Sequence, residues 1–286
     1  MKILEIQKVD LASFCYFNKD RYPFLLESVN HNDNNRYSIL FAFPGESIVL
    51  RNFSDFDFLS ELEKQFKSNK LKTNLPFSGG WFVYLSYELI GQIEPILSKE
   101  LRTSELPIAY AVEIPSAIII DHKFNNTYLI DQDSNQNRID TILKDIELIK
   151  PIPDKSILGD LSQENEYKFI NGVKACLDYI VAGDVFQVNL SRQWQYKLTK
   201  EIDSAVIYLA LKNSNPAPFS ALIQYENFSI VSSSPERLFS VQEGVLQTRP
   251  IAGTHPRGQG SEDKAQKEGL ISHPKEIAEH VMLLDL

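Results

Sequence analysis

The sequence predicts an α+β fold in which antiparallel strands pack between helices. In the N-terminal half, short runs of aromatic and β-branched residues are bounded by turn-forming residues, a pattern typical of β-strands. In the C-terminal half, long amphipathic segments alternate with pairs of such runs, which indicates helices interleaved with hairpins. The chain of 286 residues is long enough for one large domain or for two of ordinary size.

The N-terminal half is predicted to be rich in strands, which are expected at Tyr37–Ala42, Trp81–Tyr87, Ala109–Ile114, Ala117–Asp121 and Thr127–Ile130. One helix is expected over Phe56–Lys67, because Leu59, Leu62 and Phe66 recur on one helical face. The segment KPIPDKS at residues 150–156 contains two prolines, which fit neither a helix interior nor a central strand. We therefore expect a linker between a region of residues 1–150 and a region of residues 151–286.

The clearest predicted helix follows this linker. Ser162 is expected to cap it, Glu164 to lie in its positive first turn, and Gly183 to end it in a left-handed conformation. An apolar stripe along it consists of Tyr167, Ile170, Val173, Leu177 and Ile180. The next segment, VFQVNLSRQW at residues 185–194, alternates polar and apolar residues and predicts a strand with Gln187 on its polar face.

The remaining segments continue the alternation of helices and strands. A helix over Ile202–Lys212 is expected to stop before the Asn215-Pro216 pair. Further strands are expected at Phe219–Tyr225, Phe228–Ser233, Arg237–Val241 and Val245–Ile251. A last helix begins at His273-Pro274, where proline suits the first turn, and runs to Leu286 without a C-terminal capping signal.

Net charge, apolar runs and cysteine spacing argue against several classes of protein. The formal net charge is −9 and no basic stripe offsets it, so we expect neither nucleic acid nor an anionic membrane as a partner. The apolar run at the N-terminus is broken by charges, and no run is long enough to span a membrane. Cys15 and Cys176 lie far apart without metal-type spacing, so we expect reduced thiols in a cytoplasmic protein.

Three short motifs contain chemically useful groups. Glu276 and Glu279 are three residues apart on a predicted helix, a spacing that places two carboxylates on one face and suits Mg²⁺. Glu236 follows a strand in SSSPE, where a carboxylate could serve as a general acid. In RPIAGTHPRG, Gly253 and Thr254 could donate hydrogen bonds to a carboxylate or enol oxygen. Each motif alone also fits a simpler role: a solvated acidic face, a surface glutamate or a tight turn.

The order of these motifs resembles that of the chorismate-utilising enzymes, which include the component I subunits of anthranilate synthase and aminodeoxychorismate synthase. The matching tracts are GDVFQVNLSRQ, NPAPF, SSSPERLF, RPIAGTHPRG and KEIAEHVMLLDL, preceded by FLLES, RYS and LPFSGGWFVYLSYE. The resemblance implies two packed antiparallel sheets flanked by helices. It also implies a component I-like N-terminal region over 1–150 and the first part of a chorismate-binding domain over 151–286.

The resemblance assigns roles to individual residues. It makes Glu236 the general acid, turns Ala252, Gly253 and Thr254 toward chorismate, and makes Glu276 and Glu279 ligands of Mg²⁺. Leu26, Glu27 and Ser28 correspond to part of a tryptophan site. Gln187 stands where water-using members have a lysine base, which favours the ammonia-using branch and a separate glutamine amidotransferase subunit as the ammonia source.

The product of that branch is open at this point. Ala252 within PIAGT is typical of anthranilate synthases, whereas GGWFVYLSYELIGQIEP is more similar to a group of bacterial aminodeoxychorismate synthases. NPAPFSA also departs from the NPSPYM tract that helps to bind tryptophan. We favour aminodeoxychorismate synthase, with anthranilate synthase as the alternative. Well-studied aminodeoxychorismate synthases have a nucleophilic lysine (PIKGT) where this chain has Ala252, so the alanine implies direct ammonia attack or another nucleophile.

Family members continue beyond the last tract into a segment with further metal and substrate contacts. The resemblance therefore leads us to expect a C-terminally truncated chain: a fragment, a truncated gene product or half of a split enzyme. A non-catalytic binding module is a third functional alternative, since it would retain the docking surface for a partner without turnover.

Overall fold

The computed structural model describes residues 1–30, 35–66, 73–100 and 105–285. Lys67 and Leu286, the ends of two predicted helices, lie outside the described residues. The strands are β1 Lys2–Ile6, β2 Phe24–Glu27, β3 Tyr37–Ala42, β4 Ser47–Leu50, β5 Gly80–Leu85, β6 Ala109–Ile114, β7 Ser116–Asp121, β8 Asn126–Asp131, β9 Gly159–Gln163, β10 Trp194–Leu198, β11 Phe219–Tyr225, β12 Phe228–Ser234, β13 Ser240–Gln242 and β14 Val245–Gln247. The helices are α1 Leu11–Phe17, α2 Phe58–Gln65, α3 Ile90–Ile93, α4 Gln136–Leu148, α5 Glu166–Ala182, α6 Ser204–Ser214, α7 Ser261–Ser272 and α8 Pro274–Leu284, with 3-10 turns at Tyr87–Leu89 and Pro95–Glu100.

A seven-stranded antiparallel sheet forms the centre of the fold, in the order β1-β8-β7-β3-β2-β11-β12. The pairing of β2 with β11 joins segments that lie far apart in the chain, with Leu25 opposite Leu222. Strands from both sides of residue 150 therefore share one sheet, while the division into regions 1–150 and 151–286 stays a prediction. Residues 150–158, which include the expected linker, form no helix or strand.

A second sheet of three antiparallel strands, in the order β4-β6-β5, packs against one face of the first. Aromatic rings fill the contact: Phe24 of β2 stacks on Phe82 of β5 with ring centroids 4.1 Å apart, and Phe41 of β3 meets the same ring edge-on. Offset and edge-on aromatic pairs stabilise a core beyond the area that they bury. The predicted architecture of two packed antiparallel sheets with helices is confirmed.

Helices cover the opposite face of the seven-stranded sheet. Side chains alternate across a strand, so Leu25 points away from its neighbour Phe24 and joins a second core with Leu40 and Leu222. Residues of α1, α4 and α6 complete this core, among them the fully buried Tyr208. No helix in the described part of the chain is long and apolar enough to cross a bilayer.

Most predicted elements are confirmed, with small shifts at their ends. The strands over Tyr37–Ala42, Ala109–Ile114 and Phe219–Tyr225 have the predicted bounds. The helix predicted from Phe56 begins two residues later, because the carboxylate of Asp57 accepts a hydrogen bond from the backbone N–H of Ser60 at 2.7 Å and caps α2 there.

The N-terminus predicted for α5 is wrong by several residues. Ser162 belongs to strand β9, where it pairs with Gln195 of β10. The side chain of Asn165 caps the helix instead and accepts a hydrogen bond from the backbone N–H of Tyr167 at 2.9 Å. Glu164 consequently precedes the helix, whereas the predicted stop is confirmed, since Gly183 has φ +82°.

Replacing Asn165 with alanine is expected to lower the free energy of unfolding by about 1 kcal/mol, the usual cost of losing an N-cap side chain. Chemical denaturation of the intact protein measures this change. Ser162→Ala is the matched control and should have a smaller effect, because that serine lies in a strand and not at the helix end. An equal or larger loss for Ser162→Ala would contradict the cap assignment.

The strand predicted over residues 185–194 is also wrong, since only Trp194 belongs to a strand and residues 185–193 are irregular. Alternation of polar and apolar residues does not by itself make a strand. The backbone N–H and C=O groups of a strand also need a neighbouring strand as their hydrogen-bond partner. In the described ranges no strand pairs with residues 185–193, and Phe186 is 77% exposed. The hairpin β13–β14 is shorter than the strands predicted over Arg237–Val241 and Val245–Ile251, and α7 was not predicted.

Candidate functional site

Glu236 lies in a tight bend directly after strand β12. The hydroxyl of Ser234 donates a hydrogen bond to the backbone carbonyl of Glu236 at 2.9 Å and accepts one from its N–H at 3.3 Å. Pro235 between them restricts the backbone further. The sequence SSSPE therefore forms a local bend that holds the glutamate at the end of the sheet.

The carboxylate of Glu236 reaches the RPIAGTHPRG segment. Its Oε1 atom accepts a hydrogen bond from the backbone N–H of Ile251 at 3.2 Å. Ile251 immediately precedes Ala252 and Gly253, which are both half-buried. The structure thus brings together two motifs that lie apart in the sequence, and it places a carboxyl group beside the predicted chorismate contact.

Helix α8 brings a second carboxylate to the same segment. Pro274 occupies its first turn, and Glu276 follows within that turn. The Glu276 carboxylate lies against the α-carbon of Gly253: a Cβ atom placed on that glycine would be 1.6 Å from Oε2. Glu279 lies one turn further along α8 and is half-buried like Glu276. Three separate tracts of the chain therefore meet at residues 251–253.

The two glutamates of α8 fit a magnesium ion. The described residues contain no group of three or more His, Cys, Asp or Glu side chains placed to hold a metal. Mg²⁺ does not require one, because it usually takes one or two protein carboxylates and completes its octahedral shell with water and substrate oxygens. Glu276 and Glu279 are carboxylates of the kind that Mg²⁺ takes, and the bare backbone at Gly253 leaves room for the first of them.

Thr254 and Gln187, the other predicted substrate contacts, are less closely connected to the residues that meet at 251–253. Thr254 is exposed and follows Gly253 directly. Gln187 lies in the irregular segment 185–193 with an exposed side chain, and no hydrogen bond joins its amide to Glu236, Gly253 or Glu276. The contacts among Glu236, Ile251, Gly253 and Glu276 define what we call the motif cluster, and Gln187 lies outside it.

A cavity of about 510 Å³ adjoins the motif cluster. One wall is formed by Leu26, Glu27 and Ser28 of the predicted tryptophan-site remnant, and another by residues 218–220 of the NPAPF tract and its continuation. Glu236 and Arg237 line the same cavity. Glu236 is therefore shared between the motif cluster and the cavity, a relation that the linear sequence does not display.

Glu27 is already engaged by helix α6. Its carboxylate accepts a hydrogen bond from the hydroxyl of Tyr208 at 2.6 Å and pairs with the ammonium group of Lys212 at 2.8 Å. Burial, reinforced by the charge of Glu27, raises the pKa of Tyr208 far above its ordinary value, so the phenol remains a donor. Sequence reasoning missed this pair, although the four-residue spacing places Tyr208 and Lys212 on one helical face.

A second ion pair includes Arg36, which lines the cavity. Arg36 binds Asp121 through two hydrogen bonds, one of them 2.7 Å long, and this guanidinium lowers the pKa of the aspartate below its usual range. The ring of Phe124 lies 4.8 Å from the guanidinium carbon. The Arg36 charge is thereby neutralised within the protein, and the cavity wall carries no isolated cation at this position.

The fold is that of anthranilate synthase component I. The crystal structure of anthranilate synthase component I from Streptococcus pneumoniae superposes on this chain with a TM-score of 0.72 and 26% sequence identity, and the match covers 89% of this chain and 61% of that one. The family model of chorismate binding enzymes matches residues 22–286. The chain therefore belongs to the family of chorismate binding enzymes.

Similar curated proteins carry the names of two different synthases. The anthranilate synthase component I-like protein of Synechocystis is 33% identical over 77% of this chain and 46% of its own length. The anthranilate synthase component 1 of Lactococcus lactis is 30% identical over 94% of this chain and 64% of its length. The aminodeoxychorismate synthase component 1 of Bacillus subtilis is 33% identical over 82% and 53%. The chain spans about half to two thirds of the length of the curated relatives that it matches.

Proposed function

We propose that the protein is aminodeoxychorismate synthase component I, which converts chorismate and ammonia into 4-amino-4-deoxychorismate and water on the route to p-aminobenzoate and folate. One observation carries the chemical part of this proposal: the motif cluster brings the carboxyl group of Glu236 and the metal-type carboxylate of Glu276 to the same glycine segment. Family membership supports chorismate as the substrate, and the arrangement supports a proton donor and a cation site beside it.

The functional groups of the motif cluster, together with Thr254 and Glu279 beside it, have separate roles in this reaction. Glu236 delivers a proton to the hydroxyl that leaves C4 of chorismate, so that the hydroxyl departs as water when the new C–N bond forms. Gly253 and Thr254 orient the substrate through their backbone N–H groups and the threonine hydroxyl. Mg²⁺ bound by Glu276 and Glu279 would supply positive charge for a substrate carboxylate, a need that is acute in a chain of net charge −9.

The choice of ammonia as nucleophile follows from Gln187. A neutral amide cannot remove a proton from water as a lysine can, so the site lacks the base of the water-using branch at that position. We propose that a separate glutamine amidotransferase subunit supplies the ammonia. Ala252 has no nucleophilic group, and the proposed reaction therefore proceeds by direct ammonia attack or through a nucleophile other than residue 252.

Anthranilate synthase is the second candidate, and three observations favour it. Ala252 gives the PIAGT form typical of that activity, and several similar curated proteins carry its name. The cavity beside Leu26, Glu27 and Ser28 also fits a small regulatory ligand, such as tryptophan, in that enzyme. The tract GGWFVYLSYELIGQIEP, most of which forms β5 and the turn after it, favours aminodeoxychorismate synthase.

Product analysis of the intact protein tests the proposal. Chorismate, Mg²⁺ and an ammonium salt are added, and the products are separated and identified by mass spectrometry. We expect 4-amino-4-deoxychorismate, which retains the enolpyruvyl group. Anthranilate with equimolar pyruvate would instead establish the second candidate.

If neither product forms, the result would favour a non-catalytic binding module. The discriminating measurement then adds the glutamine amidotransferase subunit and follows the release of glutamate from glutamine. Release that depends on chorismate but yields no aminated product would identify a binding module that activates its partner.

A further inference from the structure

Gly253 provides a bare backbone surface on which the Glu276 carboxylate rests. The three heavy atoms nearest to an ideal Cβ at residue 253 all belong to the Glu276 side chain: Oε2 at 1.6 Å, Cδ at 2.3 Å and Cγ at 2.9 Å. Ordinary non-bonded contacts between heavy atoms are about 3.5–4.0 Å. Any residue with a side chain at position 253 would therefore displace this carboxylate from its observed place.

Backbone conformation does not explain why residue 253 is glycine. Glycines with a left-handed φ in the described part of the chain are Gly79, Gly80, Gly183, Gly244 and Gly260. Gly253 is not among them, so an alanine could adopt its backbone angles without strain. The structural requirement at this position comes from the space that Glu276 occupies.

We propose that Gly253 is a positioning residue for the divalent cation, because its missing side chain allows Glu276 to extend across the RPIAGTHPRG segment toward the substrate. This inference rests on the proposed Mg²⁺ site and adds to it. The resemblance turns Gly253 toward chorismate, whereas the contact here is with a metal-type carboxylate on another element, α8. One glycine thus links the substrate segment to the metal helix.

The expected effect of a methyl group at residue 253 is selective. The clashing atoms are the far end of a flexible side chain, so the Glu276 carboxylate can swing away without disturbing the fold. Stability should consequently change little, while the cation loses a correctly placed ligand. Changes to residues that orient a metal ligand typically weaken metal affinity by about 10–100-fold.

The experiment measures Mn²⁺ binding to the intact protein by electron paramagnetic resonance, with Mn²⁺ as the probe in the absence and in the presence of chorismate. Gly253→Ala is expected to weaken binding by about 10–100-fold with an unchanged melting temperature. The matched control is Gly269→Ala, a glycine in α7 with no atom within 4 Å of its ideal Cβ, which should bind Mn²⁺ like the unmodified protein.

A compensating change tests the proposed contact directly. Glu276→Asp shortens the side chain by one methylene group and relieves the clash, so Gly253→Ala/Glu276→Asp should bind Mn²⁺ more tightly than Gly253→Ala alone. Losses that simply add in the double variant would overturn the inference, as would unchanged binding in Gly253→Ala. An unmodified protein that does not bind Mn²⁺ under either condition would overturn the proposed metal site as well, which distinguishes the two failures.

Discussion

Replacing Glu236 with glutamine is expected to lower kcat by about 10²–10⁴-fold while the apparent affinity for chorismate changes little. A general acid acts chiefly in the transition state, when the departing hydroxyl takes its proton, and its loss is typically worth this factor. Glutamine retains an oxygen that can accept the hydrogen bond from the N–H of Ile251, so the bend after β12 should persist. Steady-state kinetics of the intact protein, with ammonium salt as nitrogen donor, gives kcat and KM separately.

Glu243→Gln provides the control for the loss of one negative charge. Glu243 is exposed at the turn between β13 and β14, outside the motif cluster, and this variant should have unchanged kinetics. A rise in KM with unchanged kcat in Glu236→Gln would mean that the glutamate contributes only to binding. That result would remove the proton-transfer role and leave Glu236 as a wall of the cavity.

Replacing Arg138 with methionine is expected to lower the free energy of unfolding by about 3 kcal/mol. Arg138 donates hydrogen bonds of 2.7 and 3.1 Å to Asp131, whose side chain is fully buried. Breaking a buried ion pair typically costs about 3–5 kcal/mol, because it leaves a charge in the interior without its partner. Ser116 and the backbone N–H of Asn135 still donate to Asp131, which places the expected loss at the lower end.

The pKa of Asp131 reflects the balance between its burial and its hydrogen bonds. Burial alone would raise it, but the hydrogen bonds from Arg138, Ser116 and the backbone outweigh burial and lower the pKa. The carboxylate is therefore charged in the folded protein at neutral pH, and Arg138→Met leaves that charge uncompensated. Urea denaturation measures the loss.

An exposed pair with the same geometry is the control. Arg257 binds Asp263 through two hydrogen bonds of 2.6 and 2.7 Å, and its own side chain is 88% exposed. It lowers the pKa of Asp263 to about 2, yet water screens such pairs and their effect on stability is small. Arg257→Met should leave the free energy of unfolding nearly unchanged. Equal losses in the two variants would contradict the argument from burial.

Local structure was largely determined by the sequence itself. Short runs of aromatic and β-branched residues between turn formers predicted β3, β6 and β11 to the residue, because both signals lie in adjacent positions of the sequence. Gly183 and Pro274 marked helix ends for equally local reasons. Gly183 adopts the left-handed φ that ends α5, and Pro274 lies in the first turn of α8, where its missing N–H costs no helical hydrogen bond. The order of the short motifs was sufficient to identify the family, whose model matches residues 22–286.

Local patterns failed where an element depends on a neighbour. Residues 185–193 alternate like a strand, but in the described structure they have no adjacent strand to pair with and remain irregular. Ser162 has the chemistry of a helix cap, yet its pairing with Gln195 draws it into β9 and leaves Asn165 to cap α5. In both cases a partner distant in sequence decided the outcome.

The arrangement of the site was decided by tertiary structure alone. In the sequence, Glu236, Gly253 and Glu276 are candidates in three separate motifs. Only the packing of β12, the RPIAGTHPRG segment and α8 brings these motifs into contact. The link from Glu27 to Tyr208 spans 181 residues and required β2 and α6 to meet in space. Periodicity reports on neighbours along one element, whereas such contacts depend on how whole elements pack, and no local pattern encodes that.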